Sequence, residues 1–352
     1  MNVGIICEFN PFHSGHKYLI DTLKADSNRV ICVMSGNFVQ RGEFAVYDKF
    51  ERARAALKGG ADLVLELPSC VATSSAEGFA KGGVELLEAL GCIDAIAFGA
   101  ENDNLDELKA IAEKLKDSRV QEQITNEMKS GISYPAARSI VLGTDILDYP
   151  NNILACEYLK FTSLPCIAVK RIGGGYNSDD TEYSASAIRS KLLNQNEICS
   201  MANCEDAVLY RLRTMSKKEI AELEDVSEGL ENRIYDAVRE ATGLYNLYSL
   251  VATKRYPLSR LKRIILRAFL GIDKDEQAPP YVRLLGFNEN GRELLSEIKE
   301  KSKLPVISKR SDCDEEQLEF FEKECARTDL YNLGFRPPRP CGTEQTSKII
   351  IE

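Results

Sequence analysis

The sequence predicts an α/β fold: a parallel sheet with crossover helices over residues 1–198, followed by a mostly α-helical part over residues 199–352. Two observations carry this. Short apolar runs alternate with helix-favouring stretches through the first half, an order that produces parallel strands joined by crossovers. Beyond Cys199 the pattern changes to charged stretches with helical spacing, as in 217–241, 258–269 and 315–323.

Taken in order, Val3–Cys7 is an apolar run that reads as a first strand, with neither the basic start nor the long apolar stretch of a secretory leader. A helix is expected after His16. Arg29–Met34 is a second strand, followed by the polar loop 35–43. A helix from Asp48 to Lys58 should stop at Gly59-Gly60. Asp62–Leu67 is a third strand, closed by Pro68. Phe79–Leu90 reads as helix, then Ala95–Phe98 and Cys166–Val169 as strands. Sheets of this kind place ligands beyond the carboxyl ends of their strands, and the loop after the first strand lies at that edge.

Composition narrows the classes. No apolar run approaches the roughly 20 residues of a membrane-spanning helix. Eleven cysteines without a CxxC pair, beside only two histidines, give no zinc pattern and read as reduced thiols of a cytosolic protein. The net charge of −9 argues against indiscriminate nucleic-acid binding but leaves room for a local basic face. Between Val251 and Ile272 six cations (Lys254, Arg255, Arg260, Lys262, Arg263, Arg267) occur without one acid.

Both histidines of the chain fall in one segment, Cys7-Glu8-Phe9-Asn10-Pro11-Phe12-His13-Ser14-Gly15-His16-Lys17-Tyr18-Leu19-Ile20. A strand, a proline-containing turn and a helix start form a seat for an anion, because unpaired backbone N–H groups and the helix dipole converge there. Gly15 lets backbone approach phosphate oxygens, and His13 and His16 add donors. In attack on the α-phosphate of ATP, charge grows on the oxygen bridging to the departing pyrophosphate. Donors fixed at that position stabilise the transition state more than the ground state. His13 and His16 are therefore the candidate catalytic residues.

Phe9-Asn10-Pro11-Phe12-His13-Ser14-Gly15-His16 resembles the first signature of the HIGH/nucleotidylyltransferase superfamily, which implies a Rossmann-like nucleotidyltransferase domain. Tyr183-Ser184-Ala185-Ser186-Ala187-Ile188-Arg189 resembles its second signature, in which Ser184, Ser186 and Arg189 would hold the outer phosphates. Taken alone, Ser-x-Ser before a helix is also an ordinary cap. Residues 35–43, 60–68, 98–101 and 151–160 make a narrower resemblance, to the tRNA(Met) cytidine acetate ligase family, close over the first 190 residues and looser beyond. That resemblance implies activation of acetate by ATP to acetyl-adenylate and pyrophosphate, then acetyl transfer to N4 of the wobble cytidine of elongator tRNA(Met). It implies ATP as co-substrate, with Mg²⁺ left open, and an ATP site of residues 7–20, Gly99, Asn151 or Asn152, and Arg171.

The plainer readings stand beside these: Gly99 as a turn, the asparagines as a helix cap, Arg171 as a surface cation. The family commonly carries a Tyr-His-Asp-like stretch after this arginine, whereas this chain has Tyr176-Asn177-Ser178-Asp179, and Asn177 cannot titrate. Asn37, Gln40, Arg41 and Glu43 are candidate acetate or nucleobase contacts. Asp48, Arg52 and Arg54 read equally well as contacts or as a solvated face. Arg255, Arg260, Arg263 and Arg267 are candidate tRNA contacts, the alternative being an amphipathic helix with a solvated basic side. Two other functions compete: a small-molecule adenylyltransferase of the same superfamily, and a non-catalytic ATP-responsive RNA-binding protein.

Overall fold

Strands form where the chain is apolar on both faces. The computed structural model describes residues 1–171, 188–189, 198–227 and 229–352. Its strands are β1 (Asn2–Cys7), β2 (Arg29–Ser35), β3 (Phe38–Val39), β4 (Glu43–Phe44), β5 (Leu63–Leu67), β6 (Ala95–Ala100), β7 (Cys166–Lys170), β8 (Val282–Phe287), β9 (Val306–Ile307) and β10 (Ile350–Ile351). One sheet runs β10-β8-β5-β2-β1-β6-β7, with β9 beside β8, while β3 and β4 form a separate hairpin. From β5 to β7 all pairings are parallel; β8 joins β5 antiparallel.

Alternate residues of each strand feed two cores. Val3, Ile5, Val30, Cys32 and Val64 face helices α1 (Ser14–Ala25) and α2 (Lys49–Lys58). Ile6, Ile31, Val33, Leu63 and Leu65 face the other side. There α3 (Ala76–Ala89), α4 (Leu105–Lys116), α5 (Ser118–Met128), α6 (Tyr134–Leu142) and α7 (Pro150–Phe161) pack. Burial on both faces explains why these strands read as near-continuous apolar runs.

A third core is helical: α8 (Glu205–Thr214), α9 (Lys217–Ala221), α10 (Leu230–Glu240), α11 (Leu244–Val251) and α12 (Leu258–Leu270) close over the hairpin residues Phe38 and Phe44. The division expected at 198/199 does not divide the sheet. Beyond α12 the chain returns to it through β8, and α13 (Glu289–Lys301) and α14 (Glu315–Asn332) follow. The second part is thus all-helical only as far as Leu270; beyond it strands alternate with helices, and these strands widen the first part's sheet. Asp62 fastens this return: it is fully buried and accepts from Lys24, the Val30 N–H, Asn288 and Asn290. Burial alone would raise its carboxyl, but these donors outweigh that and hold it below the ordinary aspartate value.

Candidate active site

The loop from β1 into α1 is shaped by aromatic packing. Phe9 is buried with φ of 47°, a conformation seldom adopted by a bulky residue, and its ring meets Phe12 edge-on at 5.1 Å and His16 at 4.9 Å. His13 is the N-cap of α1. Its Nδ1 accepts from the Gly15 N–H at 3.0 Å, and His16 Nδ1 accepts from the His13 N–H at 3.3 Å, a reciprocal capping box built from two imidazoles. The rings stack at 3.8 Å. With both Nδ1 atoms accepting, each ring proton belongs on Nε2, so both histidines are donors on their free edge. Burial, with Arg171 and Arg189 nearby, lowers His13 to about 4; burial, with His13 and Arg171, holds His16 well below the ordinary value. Both are neutral at physiological pH. A Cβ on Gly15 would stand 2.9 Å from His13 Cε1, so the stack needs glycine there.

Arg189, far away in sequence, reaches this loop and donates to Asn10 O at 2.8 Å. Arg52 is wholly buried and donates to the carbonyls of Glu8 (2.5 Å), Ser35 (3.1 Å), Tyr47 (3.0 Å) and Gly36. It is neither a solvated face nor a ligand contact but a strut joining the ends of β1 and β2. Asp48 caps α2 and pairs with Arg339, and Arg54 is exposed. Asn37 is likewise internal, accepting from the Lys49 N–H and donating to Thr328, so it does not face a ligand. Gln40 donates its backbone N–H to Glu8 Oε1 at 2.6 Å.

The opposite wall comes from the end of β6. Gly99 lies against Arg171 Cγ, and the Arg171 guanidinium reaches Asn151 Oδ1 at 3.3 Å. Glu101, not singled out as a site residue by the sequence, accepts from Asn151 Nδ2 at 2.5 Å. Asn152 is 1% exposed and fully committed: Oδ1 accepts from the Glu101 and Asn102 N–H groups and Nδ2 donates to Ile146 O. Of the two asparagines only Asn151 has its amide toward the cleft with Arg171.

Several expected site residues lie elsewhere. Leu19 and Ile20 belong to the core under α1. Lys17 pairs with Asp21 and Tyr18 is exposed on the helix surface. Arg267 is buried, ion-paired with Glu224 at 2.7 Å and bonded to Cys70 O, so it cannot meet a phosphate. Arg263 pairs with Asp225 at 3.1 Å, and Arg260 donates to Asp225 O and Ser227. Acceptors from outside the helix (carboxylates, carbonyls and a hydroxyl) thus occupy these three arginines; Arg255 is exposed, 5.9 Å from the Tyr256 ring. Ser184, Ser186, Gly173–Gly175 and Asn177 lie outside the described residues.

The family model named HIGH Nucleotidyl Transferase matches residues 1–346. A tRNA(Met) cytidine acetate ligase of a Thermoanaerobacter species is 39% identical, with 99% of each chain covered. That of Acetivibrio thermocellus is 35% identical over the same share of both chains. Among solved structures, Thermotoga maritima TmcAL bound with alpha-thio ATP superposes with a TM-score of 0.87 at 29% identity, covering 100% of this chain and 99% of that one.

Proposed function

The chain belongs to the tRNA(Met) cytidine acetate ligase family of HIGH nucleotidyl transferases, and we propose from that membership that it makes N4-acetylcytidine in two steps at the site described. In the first, acetate attacks the α-phosphate of ATP and pyrophosphate leaves. In the second, the acetyl group passes to N4 of the wobble cytidine of elongator tRNA(Met).

The observation that carries this reading is the stacked pair of neutral imidazoles at the N-terminus of α1, with neither Nε2–H paired among the described residues. A neutral donor pair holds a developing oxyanion without first repelling the guanidiniums that gather the phosphates. The first turn of α1 has no acid to cancel its dipole. His13 and His16 are assigned to the bridging oxygen, Arg171, Asn151 and Arg189 to the phosphates and ribose side. Ser184 and Ser186 are assigned to the outer phosphates by family likeness alone.

No group of three or more His, Cys, Asp or Glu side chains among the described residues could hold a metal ion. Residues 1–198 with the later strands form the catalytic part, and the helical part up to Leu270 contributes to tRNA binding. No helix among the described residues is long and apolar enough to cross a membrane, and the work is assigned to the cytosol, where ATP and tRNA are found.

The test is pyrophosphate exchange into ATP with acetate, formate and propionate, followed by mass analysis of tRNA nucleosides. Exchange that depends on acetate, and N4-acetylcytidine in methionine tRNA, are expected. Exchange driven by a different small acid or a phosphate ester, with no modified cytidine, overturns the reading.

A further inference from the structure

Charged groups gather around the imidazole loop. Arg171 and Arg189 both act on His13; Arg189 in turn is acted on by Glu43, Arg41 and Glu8; and Glu43 is paired with Lys262 of α12 at 2.5 Å. Glu8 directly follows β1, at the same carboxyl edge of the sheet as the imidazole loop. The hairpin tip fixes it there. Gln40 N–H holds Oε1, and two residues on, Gly42 (φ 74°) lies so close to the backbone of Lys262 and Arg263 that no Cβ would fit. Glu8 Oε2 has no hydrogen-bond partner among the described residues, and the side chain is half-buried, not sealed.

The transfer step needs something at this place. An exocyclic cytosine amine is weakly nucleophilic and must lose a proton as it attacks, and both histidines of this chain are already assigned as neutral donors to the phosphate. We propose that Glu8 is the proton acceptor of the transfer step. As N4 bonds to the acetyl carbon, the bond from that carbon to the adenylate oxygen breaks and its electron pair leaves with AMP. The N4 proton moves to Glu8 Oε2 and passes to water once AMP has gone. The proposal rests on the acetate-to-tRNA reading above.

The surroundings suit a base. Burial raises Glu8, while the Gln40 N–H, Arg41, Arg52 and Arg189 lower it, leaving it net above the ordinary glutamate value; Cys7 and Tyr158 also face it. A carboxylate with a raised pKa is a stronger base toward the amine proton.

The experiment compares wild type, E8Q and E8D in acetate-dependent pyrophosphate exchange and in single-turnover acetyl transfer to methionine tRNA. E8Q keeps the acceptor for Gln40 N–H, so exchange should fall less than about tenfold while transfer falls about 100-fold or more. E8D should recover part of the lost transfer. Wild-type transfer should decline as pH falls through a midpoint above the ordinary glutamate value, and E8Q should lack that limb. E8Q transferring at the wild-type rate overturns the proposal. So does a parallel fall of both half-reactions that E8D does not relieve, which would make Glu8 only a support for Gln40. Absence of acetate-dependent exchange in the wild type would instead overturn the functional reading, and this proposal with it.

Discussion

Each imidazole of the stacked pair spends its Nδ1 on a backbone N–H, and that one fact sets tautomer, orientation and charge together. The chain has two histidines, so their ring protons can be followed by NMR without ambiguity. Neither should titrate near the ordinary 6.5; His13 should do so at about 4 and His16 well below the ordinary value. A midpoint near 6.5 for either would contradict the neutral-donor assignment. Because both folded-state values are depressed, neutral histidines contribute stability fully above the unfolded value, and lose it as pH falls from about 6.5 toward about 4. His13→Asn retains a capping acceptor for Gly15 N–H but removes the outward donor. It should lower pyrophosphate exchange about 10²- to 10³-fold at nearly unchanged melting temperature. His13→Ala should cost about 1 kcal/mol of stability in addition. These histidines were legible in the sequence because only two exist and they flank a glycine after a strand. Asn151 and Asn152 were not separable there: the two have identical chemistry, and burial alone tells them apart.

At the scale of the element, the segment after β6 is held by Asn152, whose three hydrogen bonds replace those a regular structure would supply. Asn152→Ala should cost about 2–3 kcal/mol in urea denaturation, since it strands two N–H groups and one carbonyl. Asn151→Ala should leave stability nearly unchanged and weaken ATP about tenfold, measured by calorimetry. The reverse pattern would exchange their roles. Strands β1, β2 and β5 were readable because burial on both faces makes them apolar throughout. The period of α12 was readable too, but not the fate of its charges. Glu224 and Asp225, which take up Arg267, Arg263 and Arg260, lie more than 30 residues earlier, beyond any local pattern. Arg52 was ambiguous for the same reason: its partners are carbonyls from three separate segments, and a carbonyl leaves no mark in a sequence.

The whole molecule is locked by buried charge. Lys49 meets Glu66 at 2.7 Å and Glu344 at 2.6 Å, and Arg283 meets Glu344 at 3.1 Å, all four at most 6% exposed. This group binds α2, β5, β8 and the chain near residue 344 into one body behind the active-site loop. Glu344→Ala should cost about 3–5 kcal/mol in denaturation, because it leaves two cations buried with a single carboxylate. A cost below about 1 kcal/mol would mean the site hydrates freely. None of this was legible: β8, β9 and β10 are a short apolar run and two dipeptides among helical stretches, and nothing local shows that they rejoin the sheet. The antiparallel seating of β8 on β5 also dictates an order of events during synthesis. Roughly two hundred residues separate the two strands, so at about 5–20 residues per second β5 waits on the order of 10–40 s for its neighbour. Its Leu63-Val64-Leu65 backbone is an open, sticky rim throughout that wait. A nascent chain of this protein is therefore most exposed to mispairing on the ribosome after its nucleotide-binding strands have already assembled.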